Sequence, residues 1–148
     1  MCDFDLGTCL AAAAKNELQD WVLRYLTAGP WANIGLRDGL LLMPRFWLGP
    51  VLLPLDRMQR CCGPEPEMEY RMPVANWQER TGKIAGSLTR PEALPPLILE
   101  CVGERLVVRD GNHRHGAMTL VGWSHCYAVI WCNGKADQLR AQGWIQQA

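Results

Sequence analysis

Asp110-Gly111-Asn112-His113-Arg114 is the stretch best equipped for chemistry. It sets a carboxylate, a glycine, an amide, an imidazole and a guanidinium side by side, directly after the apolar run Leu106-Val107-Val108-Arg109. That order predicts a strand that hands over to a helix through a glycine turn. A helix start leaves its first backbone N–H groups without internal partners, at the positive end of the macrodipole. Such an end accepts anions readily. Gly111 lets the backbone turn tightly and lets a phosphate come close, and Asn112 or Asp110 can cap the helix. Arg114 supplies a permanent cation with forked donors suited to phosphate. His113 adds one or two donors according to its protonation, and Gly116 would let the helix lie close to a strand or a ligand. The expected phosphate-binding set is Gly111, Asn112, His113, Arg114 and His115. The plain alternative is an Asp-Gly turn followed by a solvated arginine.

Phosphoryl transfer also requires a base and usually a metal ligand. Glu65, Glu67, Glu69 and Arg71 follow one another in a short acidic stretch. Glu67 and Glu69 are the catalytic candidates there, beside Asp110, which is also the candidate Mg²⁺ ligand. A solvated acidic loop and a turn-forming Asp110 explain the same residues without chemistry. His113, His115, His125, Cys126 and Cys132 lack the paired spacings of a zinc site. Cys61-Cys62 beside Gly63-Pro64 is a vicinal thiol pair with no assured activating context. Trp21, Trp77 and Trp131 fall on apolar stripes and read as core, whereas Trp31, Trp47 and Trp123 fall near turns, where an indole could line a pocket.

These residues need elements to hold them. The chain has 148 residues, enough for one domain with a real core. Fifteen basic residues balance fifteen acidic ones. With no basic excess, tight nonspecific nucleic-acid binding is not expected. Seven cysteines, an odd number, and acidic rather than basic first residues suggest reduced thiols and a cytoplasmic protein. The longest apolar stretch, Leu40 to Leu55, is cut by Pro44, Arg45, Pro50 and Pro54. It falls short of the ~20 residues of a spanning helix, so no membrane association is expected.

Apolar residues at Leu18, Trp21, Val22 and Tyr25 give an amphipathic helix over Leu10–Leu26, ended by Gly29-Pro30. It either packs on the core or meets a protein partner. Leu36–Leu48 fits a helix or a strand. Val51–Leu55 reads as a strand, with Pro54 marking an edge or an end. Residues 61–73 read as a loop, and a helix runs from Val74 or Asn76 to Leu88. Leu97–Cys101 and Leu106–Arg109 form a hairpin around Val102-Gly103-Glu104. A helix over His113–Val121 closes at Gly122. Tyr127–Trp131 is a strand, and Lys135–Ala148 could be a last helix. The fold class is α+β: a small mixed sheet with flanking helices and an N-terminal helical extension over residues 1–50, packed on a domain over 51–148.

Residues from about 51 to 132 resemble the ParB N-terminal/sulfiredoxin-like superfamily. The likeness rests on Leu53-Pro54-Leu55-Asp56 at a strand end, a helix and Pro95-Pro96-Leu97-Ile98. A hairpin follows, then Asp110 to Arg114, a helix ending in Val121-Gly122 and a final apolar strand. The superfamily includes CTP-using chromosome-partitioning proteins, sulfiredoxins using ATP, and free serine kinases. The resemblance implies that the loop and helix start at Asp110–Arg114 bind nucleotide phosphates, with ATP, ADP or CTP and Mg²⁺ as cofactors. The chain departs from sulfiredoxins, since Asn112 stands where they carry the reactive cysteine. It also lacks the Gly-Glu-Arg-Arg type motif and following helix-turn-helix of the partitioning proteins, and the free serine kinases are longer. The expected function is a nucleotide-binding protein, with phosphotransferase or NTPase as the reaction class. The alternatives are a non-catalytic protein-interaction module that keeps the fold and, less favoured, a DNA-associated ParB-like protein.

Overall fold

A computed structural model describes residues 4–28 and 32–147. The expected helix stop at Gly29-Pro30, as well as Trp31, lies outside the described residues. The N-terminal stripe forms two helices rather than one: α1 (Leu6–Ala14) and α2 (Leu18–Tyr25). Asn16 adopts φ +60, a left-handed conformation that asparagine tolerates and a helix does not. A capping box starts α1, with Asp5 accepting from Thr8 N–H at 2.8 Å and Thr8 Oγ1 accepting from Asp5 N–H at 3.2 Å. The ambiguous segment splits into α3 (Ile34–Leu40) and the start of β1 (Phe46–Pro54).

Short pieces then follow: β2 (Met58–Arg60), β3 (Cys62–Gly63) and β4 (Tyr70–Arg71). The stretch read as a loop thus carries two very short strands. Next come α4 (Val74–Ser87), β5 (Leu97–Val102), β6 (Arg105–Asp110), α5 (Asn112–Leu120), β7 (His125–Cys132) and α6 (Lys135–Gln147). The fold is mixed α+β. Its main sheet has five strands in the order β1-β7-β5-β6-β2, and β3 and β4 pair separately. β5 and β6 are the expected hairpin, β1 runs antiparallel to β7, and β5–β7 and β2–β6 are parallel. β1 crosses residue 50, so the sheet itself draws on both stretches of the chain. The β1 register shifts between Leu48 and Val51, at Gly49-Pro50.

Helices cover both faces of the sheet, which is why its inner strands read as continuous apolar runs. On one face Leu97, Leu99, Cys126, Ala128 and Ile130 pack with Met118 of α5 and Ala141 of α6. On the other, Ile98, Val129 and Trp131 meet Val22, Trp21 and Tyr25 of α2. The alternation along β5 and β7 follows the two-residue period of a strand. The apolar stripe of α2 is thereby spent on this chain's own sheet. No described helix is long and apolar enough to cross a membrane.

Trp21 is 1% exposed and stacks on Tyr25 with ring centroids 5.3 Å apart, while its indole N–H donates to Thr8 Oγ1. Trp21→Ala is therefore expected to cost about 3–5 kcal/mol, the usual loss for a buried large aromatic. Urea denaturation at neutral pH measures it.

Candidate functional site

The site forms where β6 ends. Gly111 takes φ +102, and a Cβ there would meet Leu97 Cδ2 at 2.3 Å, so glycine alone fits. The next residue begins α5, so the strand passes to the helix through a single residue. Gly111 is the N-cap, and no side chain caps the helix. The expected capping by Asn112 or Asp110 does not occur, because both side chains are committed elsewhere.

Asn112 is buried and works as a clamp. Its Oδ1 accepts from the backbone N–H of Cys61 at 2.9 Å and of Cys62 at 3.2 Å, and its Nδ2 donates to the Val108 carbonyl at 3.0 Å. It fastens the β2–β3 segment to the end of β6. Asp110 Oδ2 accepts from Arg114 Nη2 and from the Tyr25 hydroxyl, each at 3.2 Å.

Arg114 does not reach the surface. Its side chain is 7% exposed and donates to the Pro95 carbonyl at 2.6 Å, to Tyr25 Oη at 2.7 Å and to Asp110. The i, i+4 spacing turns it back onto the strand end. The guanidinium is an internal brace, consumed by protein oxygens, and not the expected phosphate ligand. His115 is also turned inward. Its Nε2 faces the Leu55 carbonyl at 2.9 Å, and its Nδ1 is buried without a partner. Burial pushes its pKa below the ordinary 6.5.

A cleft of about 700 Å³ opens beside the junction. Asp110, Gly111, Asn112 and His113 line it, together with Arg109, Glu100, Trp131, Arg45, Glu69 and the two adjacent cysteines. Arg114, His115 and Glu67 are not part of its wall, and Glu67 is exposed. Arg109 sits between two carboxylates, 2.6 Å from Glu69 and 2.9 Å from Glu100. Arg45 instead donates to neutral acceptors: the Gly39 carbonyl at 2.7 Å, the Leu40 carbonyl at 3.3 Å and Asn133 Oδ1. It caps the end of α3 and, among the described residues, forms no salt bridge. The indole N–H of Trp131 is buried with no hydrogen-bond partner.

His113 points away from Arg114. Its Nε2 lies 3.2 Å from Met72 Sδ, and its ring lies 4.9 Å from that of Trp77. Burial, and then the positive fields of Arg80 and Arg60, lower its pKa. Gly116 serves the expected close approach, but toward a helix. A Cβ there would strike Trp77 Cζ2 of α4 at 2.5 Å.

Of the expected set, the structure gathers Asp110, Gly111, Asn112, His113 and Glu69 at one cleft. Sequence reasoning missed Tyr25 and Arg45, and read Trp131 as core alone. Among the described residues, no three His, Cys, Asp or Glu side chains gather into a metal-binding cluster. In comparisons with known proteins, the chain matches no family model, no curated protein and no solved structure.

Two outcomes are expected. Arg114→Leu leaves Asp110 and Tyr25 Oη without their cation and should destabilise by about 3–5 kcal/mol, as breaking a buried pair does; guanidinium denaturation checks it. Stability should also fall on acidification. His113 and His115 hold folded pKa values below 6.5, so below pH 6.5 the unfolded chain binds protons that the folded chain refuses. The stabilisation is complete above pH 6.5 and is lost as pH falls through that window toward the folded values. Denaturation midpoints from pH 8 to pH 5 measure the slope, which should shrink in His115→Gln.

Proposed function

We propose that the chain is a nucleotide-binding protein of the ParB/sulfiredoxin-like fold, taking the phosphates of ATP, ADP or CTP with Mg²⁺ in this cleft. The observation that carries the reading is the handover from β6 to α5 through left-handed Gly111 on the cleft wall. The first-turn N–H groups of α5 are the natural anion donors there. The order of elements agrees with the resemblance: the β1 end at Leu53-Pro54, α4, Pro95-Pro96, the hairpin, α5 closed at Gly122, and then β7. The cleft also falls within the roughly 300–1,000 Å³ of small-molecule sites.

The parts differ from those the bare motif suggests. The amides at Asn112 and His113 replace Arg114 as phosphate donors, and Arg45 supplies the cation. Asp110 would offer Oδ1 to Mg²⁺, which commonly takes one or two carboxylates alongside phosphate oxygens. Binding has more support than turnover, because Glu69 is held by Arg109 and Asp110 by Arg114.

Thermal shift with ATP, ADP and CTP in Mg²⁺ tests the reading. A nucleotide present at about 100 times its Kd should stabilise by ~2.7 kcal/mol. Arg45→Ala should remove most of the ligand-induced increment, whatever it does to the baseline Tm. Failure of all three nucleotides, or an increment unchanged in Arg45→Ala, overturns the assignment. The first result would favour the protein-interaction module, for which the exposed apolar run Leu41-Leu42-Met43 is the supporting surface.

A further inference from the structure

Two sulfur atoms and an imidazole nitrogen lie in a chain of contacts beside the cleft, and the nucleotide reading uses none of their side chains. Cys62 Sγ lies 3.9 Å from Met72 Sδ, and Met72 Sδ lies 3.2 Å from His113 Nε2. The residues come from three places in the chain: β3, the position after β4, and the first turn of α5. Backbone bonds bring them together. Met72 N–H donates to the Gly63 carbonyl at 3.0 Å, and Cys62 N–H donates to Asn112 Oδ1, next to His113. β3 and β4 pair in parallel through Cys62–Tyr70 and Gly63–Arg71. Trp77 packs against the His113 ring, with the Arg60 guanidinium over the same indole at 4.7 Å. The donors are thus held near one another by main-chain pairing and by a packed ring.

Thiolate and thioether are soft ligands that select Cu(I), and imidazole suits copper among other transition metals, whereas carboxylate, carbonyl and water suit Mg²⁺ and Ca²⁺. A thioether adds little for zinc, whose usual protein ligands are thiolate, imidazole and carboxylate. Cys61 does not compete from the neighbouring position, because its buried thiol donates to the Val108 carbonyl at 2.9 Å.

We propose that Cys62, Met72 and His113 form a binding site for a soft monovalent metal ion, Cu(I). On binding, the Cys62 S–H bond breaks, an Sγ–Cu bond forms and one proton passes to solvent. The copper stays Cu(I), and Met72 Sδ and His113 Nε2 donate lone pairs and lose no proton. The imidazole takes the tautomer with its proton on Nδ1.

Cu(I) titrated anaerobically into the reduced full chain, in competition with bicinchoninate, tests the site. One equivalent should be withdrawn from the chelator, and an excess of Zn²⁺ should not displace it. Met72→Leu is the decisive variant, because it conserves volume and leaves all seven thiols in place. It should weaken binding at least about tenfold, a loss that even an outer-sphere partner of a metal can bring. His113→Gln should do the same, and Cys61→Ser should not. Met72→Leu should keep the wild-type Tm and the nucleotide-induced shift, so this proposal and the nucleotide reading fail separately. Wild-type affinity in Met72→Leu, or binding lost only when cysteines other than Cys62 are replaced, overturns the site.

Discussion

A guanidinium buried in a small protein must be met on every side, since an unpaired interior charge costs more than a fold of this size can spare. Arg114 meets that demand with groups from three distant parts of the chain: the Tyr25 hydroxyl of α2, the Asp110 carboxylate of β6 and the Pro95 carbonyl ahead of β5. The arrangement fixes more than one residue. It ties the N-terminal helices to the strand–helix junction, sets the end of β6 against the start of β5, and holds Asp110 at the cleft rim. The cleft inherits its shape from this brace. The charge that suits phosphate in the motif thus acts on the ligand site through the position of Asp110 and of the α5 first turn.

The sheet was largely legible and the site only partly so, for reasons that differ. β5, β6 and β7 announce themselves because both faces of the sheet are covered, leaving short β-branched and aliphatic runs between turn residues. β1 was seen only in its second half, because Phe46–Leu48 sits in a stretch whose apolar pattern fits either period. The break at Asn16 was invisible to a stripe that continues on both sides of it. β2 pairs in parallel with β6, a partnership between segments nearly fifty positions apart that no local pattern encodes.

At the site, the error was to read His113, Arg114 and His115 as one set because they are consecutive. Successive helix residues are turned by about 100° from one another, and here they face three neighbourhoods. His113 meets Met72 and Trp77, Arg114 meets Tyr25 and Asp110, and His115 meets Leu55. Only the first lines the cleft. Tyr25 stands 85 positions before the aspartate it serves, and Arg45 sits in an otherwise apolar stretch. What the sequence did carry faithfully was Gly111, whose conformation and closeness to Leu97 admit no side chain.

The seating of α4 has a consequence of its own. Of its fourteen residues only Thr81 is buried, and it lies on α5 where Gly116 makes room for the Trp77 indole. A helix that buries so few of its residues opens at low cost, since little apolar contact is lost when it lifts. Its amides belong among the fastest to exchange with solvent, well ahead of those of β5 and β7. When α4 lifts, Trp77 leaves both His113 and Arg60 at once, so the imidazole is released from its packed orientation by a fluctuation that leaves the sheet untouched.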